Sequence, residues 1–504
     1  MSSDWRELKL SELTSKITKG TTPSKKDGGF SLSGVNYIKA ESVGYDGTID
    51  ESKFAFITQD VHEKLKRSQL EAGDILFSMA GVFLGKSALV EDRHIPANTN
   101  QALALIRPKH REVDAKYLRY FLSQPSIIHF VNNATSQSAQ PNINLKQIGD
   151  LKISVPALPV QRSISSALSS LDDKITLNTQ TNQTLEQMAQ ALFKSWFVDF
   201  DPVIDNALDS GFFDQLAAGD GIPEPLAARV AIRQAVREGM RQALRQTMTE
   251  GARAATGAAA ASQEPSAINA SFSASLPADI RALFPASFVE HPDLGWIPEG
   301  WAVKTLAELA EKISKGTTPN KTDLSQAKDE PTVRFLKVKD MGDDGEIDIS
   351  NLELISRSIH EGGLKRSILQ RGDLLFSIAG TIGRVGQVTE ELHDSNTNQA
   401  VAFIRLKDAQ SHQEFVRQNL LSPRIQSDVT AKVVQGVQAN VSLKSIGELA
   451  VCVPSVELLN VWNSSAFPLI RQIELQRRQS SSLANLRDTL LPKLLSGELT
   501  LAEA

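Results

Sequence analysis

The sequence lacks the residues and segments that mark secreted, membrane-spanning or metal-binding proteins. Among 504 residues only Cys452 is a cysteine, which excludes an internal disulfide and a cysteine-built metal site. No apolar run approaches the ~20 residues needed to cross a bilayer. The opening residues, Met1-Ser2-Ser3-Asp4-Trp5, have neither the charge pattern nor the cleavage site of a secretory signal. We therefore expect a cytoplasmic protein that does not enter a membrane.

Aromatic residues and positive charge are also scarce. Aromatic residues make up 6% of the chain, but hydrophobic residues make up 41% and charged residues 22%, as in soluble globular domains. The length indicates about two to four domains. The formal net charge is −5, and residues 1–157 hold 20 Lys and Arg against 17 Asp and Glu. Avid, non-specific nucleic-acid binding normally needs a basic surface, so phosphate contacts would have to be shared with a partner.

Signatures of catalysis are missing as well. Residues 80–87 have the outline of a phosphate-binding loop, but Ala80 occupies the position of the first required glycine. None of the eight histidines has metal-ligand spacing, and no glycine-rich cofactor fingerprint or Asn-Pro-Pro-aromatic tetrapeptide occurs. Asp74 and Asp373 each follow a glycine and precede an apolar run, which favours a turn or strand-entry role over acid–base chemistry. The sequence predicts a chain without a catalytic site of its own.

What the sequence does contain is a long internal repeat, because a shift of about 298 positions aligns its two halves. The most similar segments are Ile17-Thr18-Lys19-Gly20-Thr21-Thr22-Pro23 with Ile313-Ser314-Lys315-Gly316-Thr317-Thr318-Pro319, residues 73–81 with 372–380, and Asn98-Thr99-Asn100-Gln101-Ala102 with Asn396-Thr397-Asn398-Gln399-Ala400. Short β-rich runs, such as 74–79, 102–106 and 151–155, are bounded by turn residues and separated by helical stretches such as 113–122. The pattern predicts an α+β module that occurs twice.

A long helical segment follows each module, beginning near residue 159 in the first half and near 456 in the second. Apolar residues in 4-3 spacing flank a polar middle, which is typical of a heptad seam with buried amides. The seam residues are Leu171, Ile175, Leu185 and Leu192 in the first helix and Leu469, Ile473, Leu483 and Leu490 in the second. Each segment is either an ordinary amphipathic helix on its own module or one partner of a pair. The equal phase favours antiparallel pairing with a pseudo-twofold, and Pro468 should kink or delay the second helix.

Residues 205–290 have no counterpart in the repeat. Residues 226–248 have a helical pattern that places an arginine at every fourth position: Arg229, Arg233, Arg237, Arg241 and Arg245. Two interpretations are open, a solvated helix face and a surface that contacts phosphate or a partner. The Ala- and Ser-rich stretch 251–275 predicts a flexible linker.

Three further segments are typical of the specificity subunits of type I restriction–modification systems. They are LFKSWFVDFDP at 192–202, LGWIPEGW at 294–301 and LLPKLLSGEL at 490–499. The chain resembles this family over nearly its whole length apart from residues 205–275. The resemblance implies target-recognition domains at 1–157 and 291–455, spacer helices at 158–204 and 456–504, and an inserted helix and linker at 205–290.

The resemblance also implies a function. The chain would be a non-catalytic subunit that binds double-stranded DNA together with two methyltransferase subunits and added endonuclease/translocase subunits. Each recognition domain would read one half of a bipartite, asymmetric site, since half-site spacing follows protein geometry. The partners would flip and methylate adenine or restrict the DNA, so S-adenosylmethionine, ATP and Mg would bind to them and no cofactor to this chain. The alternatives are a duplicated scaffold that binds only proteins and an enzyme with an unrecognised site, such as a self-contained nuclease.

Repeated loop residues are the candidate DNA contacts. Small residues let the backbone approach phosphate, Lys and Arg neutralise it, and Gln or Asn can pair with adenine edges. The candidates are Lys19, Thr21, Thr22, Ser78, Gly81, Lys86, Gln137, Gln140 and Asn142 in the first module and Lys315, Thr317, Thr318, Ser377, Gly380, Arg384, Gln435, Gln438 and Asn440 in the second. The alternative is that these loops only carry turn and capping chemistry, which is the role we favour for Asn98, Asn100 and Gln101.

Residues that both modules share cannot distinguish two different half-sites. Base specificity is therefore expected where the copies diverge, at 24–36 against 320–333 and at 110–135 against 408–430.

Overall fold

In the computed structural model the chain divides into two compact units, Met1–Asn182 with Glu474–Ala504, and Gln183–Ile473. The structure describes residues 5–80, 84–133, 142–219, 221–250, 276–342, 345–349, 351–433 and 439–501, with backbone alone at 27, 243–250, 323 and 326. Each unit contains one module and a part of each long helix. Within the described ranges, no helix combines the length and apolar character that crossing a membrane requires.

The first module consists of short strands and helices that follow the predicted alternation. Its strands are β1 (Arg6–Lys9), β2 (Thr14–Lys19), β3 (Val35–Ile38), β4 (Ala55–Ile57), β5 (Ile75–Ser78), β6 (Ser87–Leu89), β7 (Ala97–Thr99), β8 (Leu103–Pro108) and β9 (Lys152–Val155). Its helices are α1 (Leu10–Leu13), α2 (Gln59–Lys64), α3 (Ala115–Leu122), α4 (Pro125–Asn133) and α5 (Leu145–Gly149). The predicted runs at 74–79, 102–106, 151–155 and 113–122 correspond to β5, β8, β9 and α3. Helix α3 begins where it does because the Asp114 side chain accepts a hydrogen bond from the Tyr117 amide at 2.9 Å.

Between the modules lie the first long helix and the insert. They contain α6 (Leu158–Phe197), α7 (Asp201–Ser210), α8 (Phe212–Ala218), α9 (Glu224–Glu250), α10 (Ala278–Arg281) and the hairpin of β10 (Phe288–His291) with β11 (Gly295–Pro298). Helix α7 spans the predicted boundary between residues 204 and 205.

The second module repeats the arrangement of the first. Its strands are β12 (Ala302–Thr305), β13 (Ala310–Lys315), β14 (Pro331–Leu336), β15 (Glu353–Ser356), β16 (Leu374–Ser377), β17 (Val385–Gln387), β18 (Asn396–Thr397), β19 (Val401–Leu406) and β20 (Ala450–Val453). Its helices are α11 (Leu306–Leu309), α12 (Lys321–Gln326), α13 (Arg357–Glu361), α14 (Ala409–Leu421), α15 (Pro423–Ala431) and α16 (Leu443–Gly447), and the last helix of the chain is α17 (Val456–Ser496).

Both modules have the same sheet topology. The four-stranded sheets have the orders β2-β8-β5-β6 and β13-β19-β16-β17, and the three-stranded sheets have the orders β4-β3-β7 and β15-β14-β18. A third, two-stranded pairing joins β1 to β9 and β12 to β20. All residues of β5 and β16 are buried, which explains why these strands are continuous apolar runs rather than alternating ones. The predicted duplication of an α+β module is confirmed.

The long helices pack antiparallel within the first unit. The Asn178 amide donates to the Gln479 side chain at 3.0 Å, and Arg487 donates to the Asp172 carboxylate at 2.8 Å, so earlier residues of α6 face later residues of α17. Leu491, Leu494 and Leu495 are buried in the same core as Ile164 and Leu168. The C-terminal turns of the chain therefore complete the hydrophobic core of the first module.

The second unit contains the complementary helix ends. Phe193 and Trp196 of α6 pack against Trp462 of α17, with ring centroids 5.7 and 6.2 Å apart. Phe197 contacts Phe415 of α14 at 5.2 Å and extends this aromatic cluster into the second module. Antiparallel pairing is thus confirmed.

The expectation that Pro468 delays the start of the second helix is wrong. Helix α17 begins at Val456 and continues past the proline, because packing of its apolar face outweighs the lost hydrogen bond.

Three arginines of the insert make specific contacts within the chain, while Arg241 is exposed. Arg233 is 2% exposed and binds the buried Asp205 carboxylate with two nitrogens, one at 3.2 Å. Arg237 pairs with Asp209, and Arg229 donates to the Val198 carbonyl at 2.6 Å. For these three residues both sequence-based interpretations are wrong. The reason is that α7 carries carboxylates at the same four-residue spacing, and a buried guanidinium needs such a partner.

The polar middle of the helix pair leads to a prediction. Asn178 is 1% exposed, and its side-chain oxygen has no hydrogen-bond partner within the described structure. Its amide nitrogen donates to the side chains of Gln479 and Ser480, which are exposed and half-buried and can bind water in its place. A buried amide specifies register at a cost in stability. We expect Asn178→Leu to raise the free energy of unfolding of the first unit by about 1 kcal/mol. Urea denaturation followed by circular dichroism measures this, with Leu494→Ala, expected to cost about 2–5 kcal/mol, as the opposite control. A loss of stability for Asn178→Leu would contradict the prediction.

Candidate nucleic-acid interface

The loop after β2 is held against the segment between β7 and β8. The Thr21 amide donates to the Thr99 carbonyl at 2.9 Å, and the Thr22 hydroxyl donates to the Gln101 side chain. Gly20 has no space for a side chain, because a Cβ there would overlap the Thr99 and Asn100 carbonyl oxygens. The predicted Gly-bearing loop therefore depends on close backbone approach rather than on a positive φ.

The equivalent loop of the second module is built in the same way. The Thr317 amide donates to the Thr397 carbonyl at 3.0 Å, and the Thr318 hydroxyl donates to Gln399. A Cβ on Gly316 would overlap the carbonyl oxygens of Thr397 and Asn398. Lys19, Thr22, Lys315 and Thr318 are exposed at these loops, while Thr21 and Thr317 are half-buried.

The first asparagine of each repeated Asn-Thr-Asn-Gln-Ala segment is structural. Asn98 is fully buried and donates to the Leu65 carbonyl at 3.1 Å and the Ser68 hydroxyl at 2.9 Å. Asn396 makes the same two contacts with Leu364 and Ser367, at 3.1 and 3.4 Å. The predicted structural role of Asn98 is confirmed, and the amide positions the backbone against which the Gly20 loop packs.

A third segment joins the same edge through β5. The Met79 amide donates to the Ala102 carbonyl at 2.9 Å, and Ala80 forms an isolated antiparallel bridge with Asn142. In the second module Ile378 donates to Ala400 at 2.8 Å, and Ala379 bridges Asn440. The structure therefore brings the Gly20 loop, the end of β5 and Asn142 around the Asn-Thr-Asn-Gln-Ala segment, with the equivalent arrangement in the second module. Asn142 and Asn440 are exposed there.

Two of the candidates point inward. Ser78 and Ser377 are fully buried, and their hydroxyls accept hydrogen bonds from the Lys86 and Arg384 amides at 2.9 and 2.8 Å. These serines hold the turn that ends the strand.

The other candidates near this turn have different surroundings. Lys86 lies over the Tyr45 ring at 5.4 Å, and Arg384 donates to the Val338 carbonyl at 3.2 Å. Gly380 is exposed with a φ of 77°, whereas Gly81, Gln137, Gln140, Gln435 and Gln438 lie outside the described residues.

In the second module these segments enclose an open concavity of about 380 Å³. Its walls are Lys337, Val338, Lys339, Ala379, Gly380, Asn398, Ala400 and Ala439. The lining combines small apolar residues with two lysines and one asparagine amide. Such a surface can contact both a phosphate backbone and base edges.

Buried ion pairs hold the strands that carry these loops. Arg107 of β8 donates to both oxygens of Asp74, at 2.7 and 2.8 Å, and Arg405 does the same with Asp373 at 2.8 and 2.7 Å. The hydrogen bond to the aspartate raises the pKa of each arginine. The carboxylates also accept the amides of Glu71 and Gln370. The predicted turn role of both aspartates is confirmed, with an arginine partner that the sequence did not reveal.

Comparison with known proteins shows the family to which the chain belongs. The family described as Type I restriction modification DNA specificity domain matches residues 2–187 and 298–476, which is more than half of the chain. The chain belongs to the specificity subunits of type I restriction–modification systems. The two matched regions begin at equivalent positions of the repeat, so each module is one specificity domain.

Individual specificity subunits show the extent of the similarity. The Type I restriction enzyme HindI specificity subunit of Haemophilus influenzae is 27% identical over 510 residues, which cover 99% of this chain and 100% of that protein. The EcoBI specificity subunit of Escherichia coli is 26% identical over 218 residues, 40% of this chain and 43% of its own. The crystal structure of the S subunit from M. genitalium aligns over 100% of this chain and 98% of its own, at 14% identity and a TM-score of 0.47.

Some residues at this edge of the specificity domains are not among the DNA contacts predicted from the sequence. Tyr37 donates its hydroxyl to the Thr21 carbonyl at 2.9 Å, and burial raises the pKa of Tyr37. Lys337 and Lys339 line the concavity of the second domain. The repeat of Tyr37-Ile38-Lys39 as Phe335-Leu336-Lys337 was a signal for this strand end, but only the fold brings it beside the Gly20 and Gly316 loops.

The two divergent pairs differ in exposure. Residues 110–135 and 408–430 lie mainly on α3, α4, α14 and α15, whose Tyr117, Leu122, Phe415 and Ile425 side chains are buried in the cores. Residues 24–36 contain a short 3-10 helix (Lys25–Asp27), a turn and the start of β3 in the first specificity domain, whereas residues 320–333 contain the longer helix α12 and the start of β14 in the second. Leu32 and Leu324 are exposed there.

The described residues contain no cluster of His, Cys, Asp or Glu that could hold a metal ion.

Proposed function

We propose that this chain is the sequence-reading subunit of a type I restriction–modification complex and that each specificity domain reads one half of a bipartite, asymmetric DNA site. The observation that carries the proposal is the combination of one repeated framework with two different exposed loops. The Gly20 and Gly316 loops are built alike, while 24–36 and 320–333 differ in both sequence and local structure. Two similar scaffolds with different recognition elements suit two unlike half-sites.

Local charge supports contact with DNA in spite of the net charge of −5. Residues 19–39 carry four lysines and one acidic residue, and residues 315–337 carry five basic and three acidic residues. The first stretch begins at the last residue of β2 and the second at the last residue of β13, and each includes the divergent segment of its module. Lysine and arginine neutralise phosphates, and the release of counterions contributes to affinity. The proposed interface is therefore positive although the whole chain is not.

The partners would supply the chemistry. Two methyltransferase subunits would flip and methylate adenine within the site, using S-adenosylmethionine, and endonuclease/translocase subunits would restrict the DNA with ATP and Mg. This chain would position them in the cytoplasm without binding a cofactor itself. The exposed candidates Lys19, Thr22, Asn142, Lys315, Thr318 and Asn440 would make the DNA contacts, with half-buried Lys86 and Arg384 beside them.

The experiment is single-molecule sequencing of genomic DNA from cells with and without this gene. The expected result is a gapped, asymmetric motif in which adenine is methylated only when the gene is present. A reconstituted complex should protect the same motif. If the methyltransferase is present and active and no motif depends on this gene, the chain is a scaffold that binds proteins alone.

A further inference from the structure

Leu32 is the most exposed large apolar side chain of the described residues. Its relative exposure is 101%, so it makes no packing contact that stabilises the first specificity domain. Single exposed leucines are common on protein surfaces. What distinguishes Leu32 is its position at the tip of the divergent segment 24–36, which immediately follows the Gly20 loop.

The backbone around Leu32 is held in place. The Ser31 amide donates to the Phe56 carbonyl at 2.9 Å, and the Ser31 hydroxyl donates to the Ser33 carbonyl at 2.8 Å. Gly34 has a φ of 134°, and a Cβ there would lie 2.5 Å from the Ile57 carbonyl oxygen. The turn thus presents Leu32 outward from fixed anchor points on both sides.

The same turn is linked to the candidate interface. The Phe30 ring stacks edge-to-face on Tyr37, with centroids 5.1 Å apart, and Tyr37 donates to the Thr21 carbonyl at 2.9 Å. The Lys39 ammonium lies 6.0 Å from the Phe30 centroid, and Lys25 and Lys26 are exposed in the same segment. Lys39 also pairs with Glu41 at 3.1 Å, so the exposed Lys25 and Lys26 are the cations that this segment presents. They favour a polyanionic partner over an apolar protein surface.

We propose that Leu32 contacts the C5-methyl group of a thymine in the half-site read by the first specificity domain. This inference rests on the proposed function. Among the groups that base pairs present in the major groove, the thymine methyl is the apolar one, and apolar side chains read it by contact. In the second domain α12 corresponds to the short 3-10 helix Lys25–Asp27, and residues 328–330, which correspond to Leu32, are Lys, Asp and Glu. The apolar contact would therefore belong to one half-site and contribute to the asymmetry of the site.

The test uses the complex of the full chain with its methyltransferase, and the methylated motif of the wild type is determined first. Each thymine of the first half-site is then replaced by deoxyuridine, which lacks only the methyl group. We expect one such replacement to weaken wild-type binding roughly 10-fold. Leu32→Ala should lose a similar factor on the natural site and become insensitive to the same replacement. Leu177→Ala removes a leucine that is 55% exposed on α6 and should leave this base discrimination unchanged.

The outcomes separate the two proposals. If the wild-type complex methylates no motif, the proposed function fails before Leu32 is tested. If the motif exists but no deoxyuridine replacement affects the wild type and the variant differently, the thymine contact is wrong. Weaker assembly of Leu32→Ala with the methyltransferase, with unchanged base discrimination, would assign Leu32 to a protein interface and also overturn it.

Discussion

Gly316→Ala is expected to lower the free energy of unfolding of the second unit by about 3 kcal/mol, at the upper end of the cost of overpacking. A Cβ at this position would overlap the carbonyl oxygens of Thr397 and Asn398. Those atoms are backbone, and the segment is tied to the core through the buried Asn396 amide and the Thr397 hydroxyl, which donates to Leu336 at 2.9 Å. Neither side can move without breaking buried hydrogen bonds, so the loop itself would be displaced.

Urea denaturation followed by tryptophan fluorescence measures this change. Four of the five tryptophans, Trp196, Trp296, Trp301 and Trp462, lie in the unit Gln183–Ile473, so the signal reports on that unit. Gly239→Ala is the matched control. Gly239 is exposed on helix α9 with no neighbour within 4 Å of a Cβ. Alanine there should stabilise the helix by about 1 kcal/mol. A cost below about 1 kcal/mol for Gly316→Ala would show that the close approach is not required.

Arg233→Met is expected to cost about 3–5 kcal/mol, because it leaves the Asp205 carboxylate buried without its cationic partner. Both side chains of the pair are almost inaccessible, at 2% and 5% exposed. Burial also raises the pKa of the neighbouring Asp201, which lies 3.9 Å from Arg233. The insert would therefore lose the main polar contact between α7 and α9.

Arg237→Met is the control for this second prediction. The Arg237–Asp209 pair is 20% and 48% exposed, and solvent screening limits such pairs to about 0–1 kcal/mol. The double variant Arg233→Met with Asp205→Leu should regain much of the lost stability, since an apolar pair can replace a buried ion pair. Equal effects of Arg233→Met and Arg237→Met, measured by the same fluorescence assay, would refute the assigned role of burial.

In the insert, the helix is a local feature of the sequence, whereas the surroundings of its arginines depend on the tertiary structure. The four-residue spacing of the arginines predicted helix α9, since periodicity is a local property of the chain. Whether those arginines face solvent depends on Asp201, Asp205 and Asp209. These carboxylates have the same four-residue spacing but lie on a different helix, α7. Two matching charge periodicities in neighbouring helices are a signal that would have predicted the ion pairs.

The sequence by itself determined the duplication, the alternation of strands and helices in each module and the two long helices. Repeats and apolar periodicity are properties of the order of residues and need no tertiary contact. The sequence also determined the Gly-Thr-Thr-Pro and Asn-Thr-Asn-Gln-Ala segments as a repeated constellation. Only the tertiary structure decided that these segments pack on each other, that Ser78 faces inward and Leu32 outward, and that Leu494 belongs to the core of the first module. Each of these depends on contacts between residues far apart in the chain, and local patterns carry no information about which distant surfaces will meet.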